Sequence, residues 1–218
     1  MATHGNGRDV AGRPLATGAR GVVLCGGRSS RMGSDKALVP LRGRELLAHA
    51  VAALSEVCER VELACGTVPR YAEQGLPLLL DREPDLGPLG GIETALLAGP
   101  ADIVLVIACD MPGVGPRELR ALVERVRSAD LDVCVLRSER GVEPLCGAWR
   151  TTMSHPVASA LARGSRRVVS AFDEPLAAGR APRVGFLDVA APECVRNLNT
   201  PADLARERGG APHEGSRR

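Results

Sequence analysis

The sequence predicts an α/β domain, a sandwich of helices around a mostly parallel sheet. Three observations predict it. Short apolar runs recur along the 218 residues, amphipathic stretches separate them, and two of the runs, VVLC and IVLVIA, are apolar without a break. Unbroken apolarity over four to six residues suits strands covered on both faces, because neither face meets water. Strands and helices in alternation give α/β layering.

The predicted strands are residues 21–25 (GVVLC), 61–65 (VELAC), 76–80 (LPLLL), 103–108 (IVLVIA), 131–136 (LDVCVL), 145–149 (LCGAW) and 184–189 (VGFLDV). The first helix is expected over 45–58, where Leu46, Leu47, Ala50, Val51 and Leu54 fall on one stripe at helical spacing. Further helices are expected over 92–98, 116–127, 155–163 and 201–207. Pro116 and Pro201 suit the first helical position, where the missing N–H costs nothing, and Thr200 suits the N-cap of the last helix. Residues 1–19 and 206–218 are Gly- and Arg-rich with no period and read as disordered tails. Residues 20–205 read as one domain, with no internal repeat or linker.

Composition narrows the function classes. With 44% apolar residues and near-balanced charge, the chain can bury a core. No apolar run approaches the roughly 18 to 20 residues of a membrane span, and the first 20 residues hold no apolar signal region. Residues 1–20 carry three Arg and one Asp, and residues 205–218 carry four Arg and two Glu, a sum of +4. The net charge of +2 therefore leaves −2 for the body, which has only four aromatic residues. Nucleic acid, which wants a basic face and stacking rings, is not an expected partner. Seven cysteines form no CxxC pair and no zinc-finger spacing, which predicts reduced thiols and a cytoplasmic setting.

In open parallel sheets ligands bind beyond the carboxyl ends of the strands, so the segments after Cys25, Leu80 and Ala108 are where a site is expected. The first of these reads LCGGRSSRMGSDK from Leu24 to Lys36. Gly26, Gly27 and Gly33 let backbone N–H groups approach a ligand, and Ser29, Ser30, Arg28 and Arg31 add donors for phosphate oxygens. It is neither a Walker A loop nor a GxGxxG fingerprint. Lys36 is the only lysine in the chain, against 27 arginines. A compact ammonium fits among phosphate oxygens where a planar guanidinium does not.

Asp110 ends the apolar strand IVLVIAC, where a carboxylate can serve a cation such as Mg²⁺ or cap the turn before Pro112. Asn197 and Asn199, two of three asparagines, suit either an acceptor phosphate or metal, or an Asx-turn into the last helix. Asp81 reads equally as a strand-end turn residue. His49 and His155 fall in helical stretches and read as structural, and no GxSxG elbow supports a serine triad.

The loop LxGGxSxRMGxDK resembles the nucleotide-binding signature of the MobA-like NTP transferases, and among them the molybdenum cofactor guanylyltransferases, which share Asp35-Lys36 at its end. Three further motifs resemble the family in the same order: Asp81 with the GPLGGI turn through Gly90 and Gly91, the CDMP run at Asp110, and NLNTPADL from Asn197. The resemblance implies a three-layer, Rossmann-like nucleotidyltransferase fold. It implies transfer of GMP from GTP to molybdopterin or molybdenum-molybdopterin, with pyrophosphate released and Mg²⁺ required. It also implies Lys36, Asp110 and Arg31 in catalysis, with Asp110 as metal ligand. Leu24, Cys25, Gly26, Gly27, Lys36, Asp81 and Asp110 would contact GTP; Gly90, Gly91, Asn197 and Asn199 would lie on the acceptor side, with Glu143-Pro144 near them. Transient contacts with other molybdenum-cofactor enzymes are a further expectation. Cys25 replaces the family's usual alanine, and Gly66 stands where an asparagine is common. A rival reading keeps the fold and takes CTP or a sugar-phosphate acceptor; another is a nucleotide-binding protein without catalysis.

Overall fold

The computed structural model describes residues 17–26, 35–189 and 191–209. Its core is a seven-stranded sheet. The first strand, β1 (Arg20–Leu24), is followed by a two-stranded hairpin, β2 (Pro40–Leu41) and β3 (Arg44–Glu45), and by helix α1 (Leu46–Ser55). Then come β4 (Arg60–Ala64), β5 (Leu78–Leu79), α2 (Gly87–Leu97), β6 (Ile103–Ala108), α3 (Pro116–Ser128), β7 (Val133–Ser138) and β8 (Gly141–Arg150). Helix α4 (Ser154–Ala162), β9 (Val184–Asp188) and α5 (Pro201–Gly209) complete the order.

The strands lie in the order β5-β4-β1-β6-β8-β7-β9. Six run in one direction; β8 alone is antiparallel, to β6 on one side and β7 on the other. All six residues of β6 and all five of β1 are buried; the apolar runs account for all but Arg20, whose charge is paired with buried Glu62.

Alternate side chains feed two cores. Val23, Leu63, Leu105 and Cys134 pack on one face with Leu47 and Leu54 of α1 and Leu119 and Leu122 of α3. Val22, Val104, Val106 and Trp149 pack on the other with Leu89 and Ile92 of α2 and Val157 of α4. The result is the three-layer α/β fold predicted from the sequence. A third, small cluster joins Leu41 and Leu46 to Leu198 and Leu204, which ties the segment before α5 to the hairpin and α1.

Two differences from the predicted elements matter for the site. Helix α2 begins at Gly87 rather than near 92, so Gly90 and Gly91 are helical. Each glycine costs a helix about 1 kcal/mol relative to Ala, but packing demands them here. A Cβ at Gly91 would stand 3.1 Å from Leu24 Cδ2, and one at Gly90 would stand 2.5 Å from Leu86 Cβ. The 76–80 run pairs only over Leu78–Leu79.

The second difference is an irregularity in β8. Val135 of β7 faces Gly147, but Leu136 faces Glu143, so residues 144–146 have no opposite number on β7. Pro144 has no N–H to give the ladder, and a bulge is where a strand tolerates it.

The last helix opens as expected. Thr200 Oγ1 accepts the Asp203 N–H at 3.1 Å while the Asp203 carboxylate accepts the Thr200 N–H at 2.9 Å, a reciprocal cap. Helix α5 runs through Gly209, past residue 205. No helix among the described residues is long and apolar enough to cross a membrane.

Candidate active site

The ends of β4, β1 and β6 lie side by side, with Leu24 in register with both Ala64 and Ala108. Above them opens a cavity of about 860 Å³, bounded by these strand ends, the loop after β5 and the start of α2. Its floor carries three cysteines, Cys25, Cys65 and Cys109, each one residue beyond its strand. Cys25 Sγ lies 3.8 Å from Cys65 Sγ. All seven cysteines are free thiols, and burial pushes Cys109 up to about 12.

Lys36 stands on a 3₁₀ turn (Lys36–Leu38) whose cap is Asp35: the Asp35 carboxylate accepts the Ala37 N–H at 3.1 Å. The Lys36 ammonium donates to Asp110 Oδ2 at 2.6 Å and to Asn199 Oδ1 at 2.6 Å. These residues are 74 and 163 positions apart in sequence. The Leu198 N–H donates to the Asp110 carbonyl at 3.0 Å, so the Asn197–Asn199 segment is held to the end of β6 by main chain as well. Neither Asp110 nor Asn199 uses its side-chain oxygen as a turn cap; Thr200 and Asp203 do that work instead.

Asp110 Oδ1 is buried with no hydrogen-bond partner among the described residues. A desolvated carboxylate oxygen left unpaired is costly. One carboxylate at a strand end beside the Lys36 ammonium is the donor set Mg²⁺ takes when phosphates and waters complete its shell, so the residues present fit a divalent cation. No group of three or more His, Cys, Asp or Glu side chains among the described residues could hold a metal by itself.

At the opposite end of the cavity, Asp81 follows β5. Its N–H donates to the Gly66 carbonyl at 2.9 Å, and its Oδ1 accepts from Thr94 Oγ1 at 2.9 Å. Burial pushes the Asp81 carboxyl above its ordinary range, against that hydrogen bond. Gly26 and Gly66 pass so closely that a Cβ on Gly26 would lie 2.7 Å from the Gly66 nitrogen. Gly66 itself has φ +77° and open space around it.

The cavity thus brings together Leu24, Cys25, Gly26, Lys36, Asp81, Gly91, Asp110 and Asn199 of the residues picked from sequence. Gly90 does not line it; it is buried against Leu86. Asn197 lies in a neighbouring, smaller cavity, where its Nδ2 donates to Glu143 Oε2 at 3.3 Å. Burial pushes Glu143 upward, the Asn197 bond notwithstanding. Gly27 and Arg31 fall outside the described residues. His49 and His155 serve structure, against the carbonyls of Leu41 and Pro175.

Sequence reasoning missed Tyr71, Arg70 and Thr94. Tyr71 is the chain's only tyrosine, is buried, and donates to Asp35 at 2.8 and 2.9 Å, which steadies the turn that carries Lys36. Arg70 lines the cavity beside it. A lone buried phenol was the available signal, since such a group needs a partner.

Comparison with known proteins gives the arrangement its context. The MobA-like NTP transferase domain matches residues 21–176. A probable molybdenum cofactor guanylyltransferase of Carboxydothermus hydrogenoformans is 34% identical, with 84% of this chain and 92% of that protein covered. The molybdenum cofactor guanylyltransferase of Vibrio cholerae is 31% identical, with 85% and 89% covered. Among solved structures, the molybdopterin-guanine dinucleotide biosynthesis protein A of Archaeoglobus fulgidus superposes with a TM-score of 0.71 at 24% identity, covering 87% of this chain and 96% of that one. The family match spans more than half of the chain and takes in both ends of the cavity, from β1 through Asp110: the chain belongs to the MobA-like NTP transferases.

Proposed function

We propose that this protein transfers GMP from GTP to the terminal phosphate of molybdopterin or molybdenum-molybdopterin and releases pyrophosphate. The supporting observation is the Lys36–Asp110–Asn199 constellation at the carboxyl edge of the sheet, in a chain whose relatives bear the name molybdenum cofactor guanylyltransferase.

The reaction is an in-line displacement at the α-phosphorus: an acceptor phosphate oxygen forms the new P–O bond as the bond to pyrophosphate breaks. Little covalent work falls to the protein, so positioning and charge neutralisation carry the rate. Leu24, Cys25 and Gly26 offer main-chain groups to the nucleotide at the end of β1, where the bare Gly26–Gly66 contact keeps side chains out of the way. Asp81 contacts the nucleoside end of the cavity. Lys36 neutralises the triphosphate, its ammonium held in place by Asp110 and Asn199 before the nucleotide arrives. Arg31 adds a second cation from the loop.

Asp110 would hold Mg²⁺ through the oxygen that Lys36 leaves unused. Bound there, the ion would offset charge on the phosphates in the transition state. The start of α2, where Gly87, Pro88 and Gly91 line the cavity, suits an anion, because the first turn of a helix leaves N–H groups without intrahelical acceptors. The proposal includes a cytoplasmic setting and transient contacts with the enzymes that supply or receive the cofactor.

The test is pyrophosphate release from GTP, CTP, ATP and UTP with Mg²⁺, with and without molybdopterin. Release from GTP alone, and only with acceptor, is expected. Release from CTP alone would assign the chain to a cytidylyl reaction, and silence with all four would refute the acceptor.

A further inference from the structure

The floor of the nucleotide cavity carries a pair of thiols that the proposed transfer does not use. Cys25 and Cys65 each follow a strand, β1 and β4, which run parallel with Leu24 opposite Ala64. The register carried one residue further sets Cys25 beside Cys65, and the two sulfurs stand 3.8 Å apart in hydrogen-bond contact. Cys25 stands where the family resemblance expects alanine, so the nucleotide contact itself does not call for a thiol.

The geometry suits a covalent bond between them. Neighbouring strands lie about 4.8 Å apart, inside the roughly 4.4–6.8 Å between Cα atoms that a disulfide spans. Both residues line the cavity, and the cavity is the route to them. With only 5% of Cys25 and 1% of Cys65 exposed, that route suits an oxidant of about the size of water rather than a bulky disulfide.

Arg70 supplies the electrostatics. Its guanidinium donates to the Cys65 carbonyl at 3.2 Å and to the Cys25 carbonyl at 3.4 Å. The bond from Cys25, then the Arg70 main chain and charge, hold Cys65 below the ordinary thiol range, against burial and the Asp81 charge. The same bond and burial push Cys25 upward. One sulfur is thus favoured as thiolate and the other as its proton donor, the arrangement of an attacking thiol and a resolving one.

We infer that Cys25 and Cys65 form a peroxide-sensitive dithiol whose oxidation to a disulfide closes the nucleotide site. The Cys65 thiolate attacks one oxygen of hydrogen peroxide and the O–O bond breaks. The departing hydroxide takes up the proton that Cys65 had released, and Cys65 becomes a sulfenic acid. Cys25 then attacks that sulfur: the S–S bond forms, the S–O bond breaks, and the hydroxyl leaves as water with the Cys25 proton. Two thiols and one peroxide give one disulfide and two waters.

The sulfurs must close from 3.8 Å to about 2.05 Å, which draws the ends of β1 and β4 together. There is little slack for it, since at the next residues a Cβ on Gly26 would already lie 2.7 Å from the Gly66 nitrogen. The Cys25 main chain must therefore shift, and with it the Arg70 bridge between the two carbonyls. This consequence rests on the reading that the nucleotide meets the main chain of Leu24, Cys25 and Gly26. A bound nucleotide covers the floor, so substrate and oxidant oppose each other reciprocally. In a reducing compartment such a bond is transient, and its reduction reopens the site.

The experiment uses the full reduced chain, hydrogen peroxide, and GTP with Mg²⁺. After peroxide, peptide mapping by mass spectrometry should show a Cys25–Cys65 disulfide, with two fewer titratable thiols than the seven of the reduced chain. GTP affinity should fall at least about tenfold and return with dithiothreitol. Saturating GTP added first should slow formation of the bond by a similar factor. Cys65→Ala leaves the Cys25 main chain in place and should bind GTP like the reduced wild type, before and after peroxide. The mapping needs no variant and decides the pairing even if Cys65→Ala fails to fold. Oxidation of other cysteines with Cys25 and Cys65 left free, unchanged GTP affinity in a chain with the mapped bond, or loss of GTP affinity in peroxide-treated Cys65→Ala would overturn the inference. Normal GMP transfer by a chain that forms no such bond refutes the dithiol alone. A mapped bond in a chain that binds CTP and not GTP, with CTP lost on oxidation, would uphold the dithiol and refute guanylyl transfer.

Discussion

Replacing Lys36 tests the centre of the site most directly. Its ammonium makes two short bonds, both 2.6 Å, to a carboxylate and an amide oxygen, with only 13% of the side chain exposed. Charge-assisted bonds of this kind contribute about 1.5–3 kcal/mol each when formed away from water. In the proposed reaction the same ammonium would face the leaving pyrophosphate in the transition state, where removal of one key charge-stabilising donor costs about a hundredfold or more, some 2.7 kcal/mol. Lys36→Ala should therefore lower the rate of pyrophosphate release at saturating GTP and molybdopterin by at least that factor. Lys36→Arg keeps the charge but spreads it over a planar fork, which cannot set one nitrogen close to both oxygens. It should recover less than about a tenth of the wild-type rate. The assay is steady-state pyrophosphate release, with a thermal melt of each variant to confirm folding. Turnover of Lys36→Ala within about threefold of wild type would refute the role of Lys36. Full recovery in Lys36→Arg would show that charge, and not a compact donor, is what matters.

Three other predictions follow from groups away from the reacting centre. Glu62 is fully buried and pairs with Arg20 at 3.3 Å and Arg60 at 2.8 Å, so Glu62→Ala leaves the buried Arg20 guanidinium without its counter-charge; a loss of about 3–5 kcal/mol is expected in denaturant unfolding. Burial alone would push Asp132 upward, but paired bonds from Arg180 at 2.6 and 2.7 Å and the Arg183 N–H at 2.7 Å outweigh it and hold the carboxyl below its ordinary range. A carboxyl depressed by folding adds stability that is complete above the unfolded value, about 3.9, and is lost as pH falls through the folded one. Asp132→Asn should flatten the acid limb of a stability–pH curve, and an unchanged limb would remove Asp132 as its source. Gly66→Asn places a side chain where φ is +77° and, among the described residues, only Gly26 Cα lies within 4 Å of the new Cβ, a conformation asparagine tolerates. It should fold normally and sharpen GTP over CTP by roughly tenfold in competition binding; an unaltered ratio would show that residue 66 does not face the base.

Some of this architecture is plain in the residues and some is not. The strands β1 and β6 are visible because a run covered on both faces has no reason to include a polar residue. Lys36 is visible because a chain that otherwise uses arginine keeps one lysine, and Asp110 because it closes an apolar strand. The start of α2 is hidden, since glycine is a poor helix former and only the approach of Leu24 and Leu86 makes it the residue required. The β2–β3 hairpin is too short for periodicity to register, and its turn at Arg42 and Gly43, both at positive φ, lacks the usual Asn or Asp. The Tyr71–Asp35 bond spans 36 residues and no local pattern encodes it. Four motifs in order nonetheless placed most of the cavity's residues, because three follow strands whose ends the sheet brings together and the fourth is tied to the end of β6 by the Leu198 N–H.

The single reversed strand has a consequence for how such a site can change. Six strands deliver their final residues to one edge of the sheet, whereas β8 delivers its first. The β7–β8 connection at Glu139 and Arg140 therefore projects over that edge as a hairpin tip, with both of its legs anchored in the sheet. Lengthening or shortening it shifts no helix and breaks no crossover, since the chain leaves and re-enters the sheet between neighbouring strands. The nucleotide end, by contrast, hangs on crossovers through α1 and α2 that also build the two cores. One half of the cleft is thus fixed by the requirements of folding, while the other can be reshaped one hairpin residue at a time, which lets a common nucleotide-handling half be fitted with different acceptors.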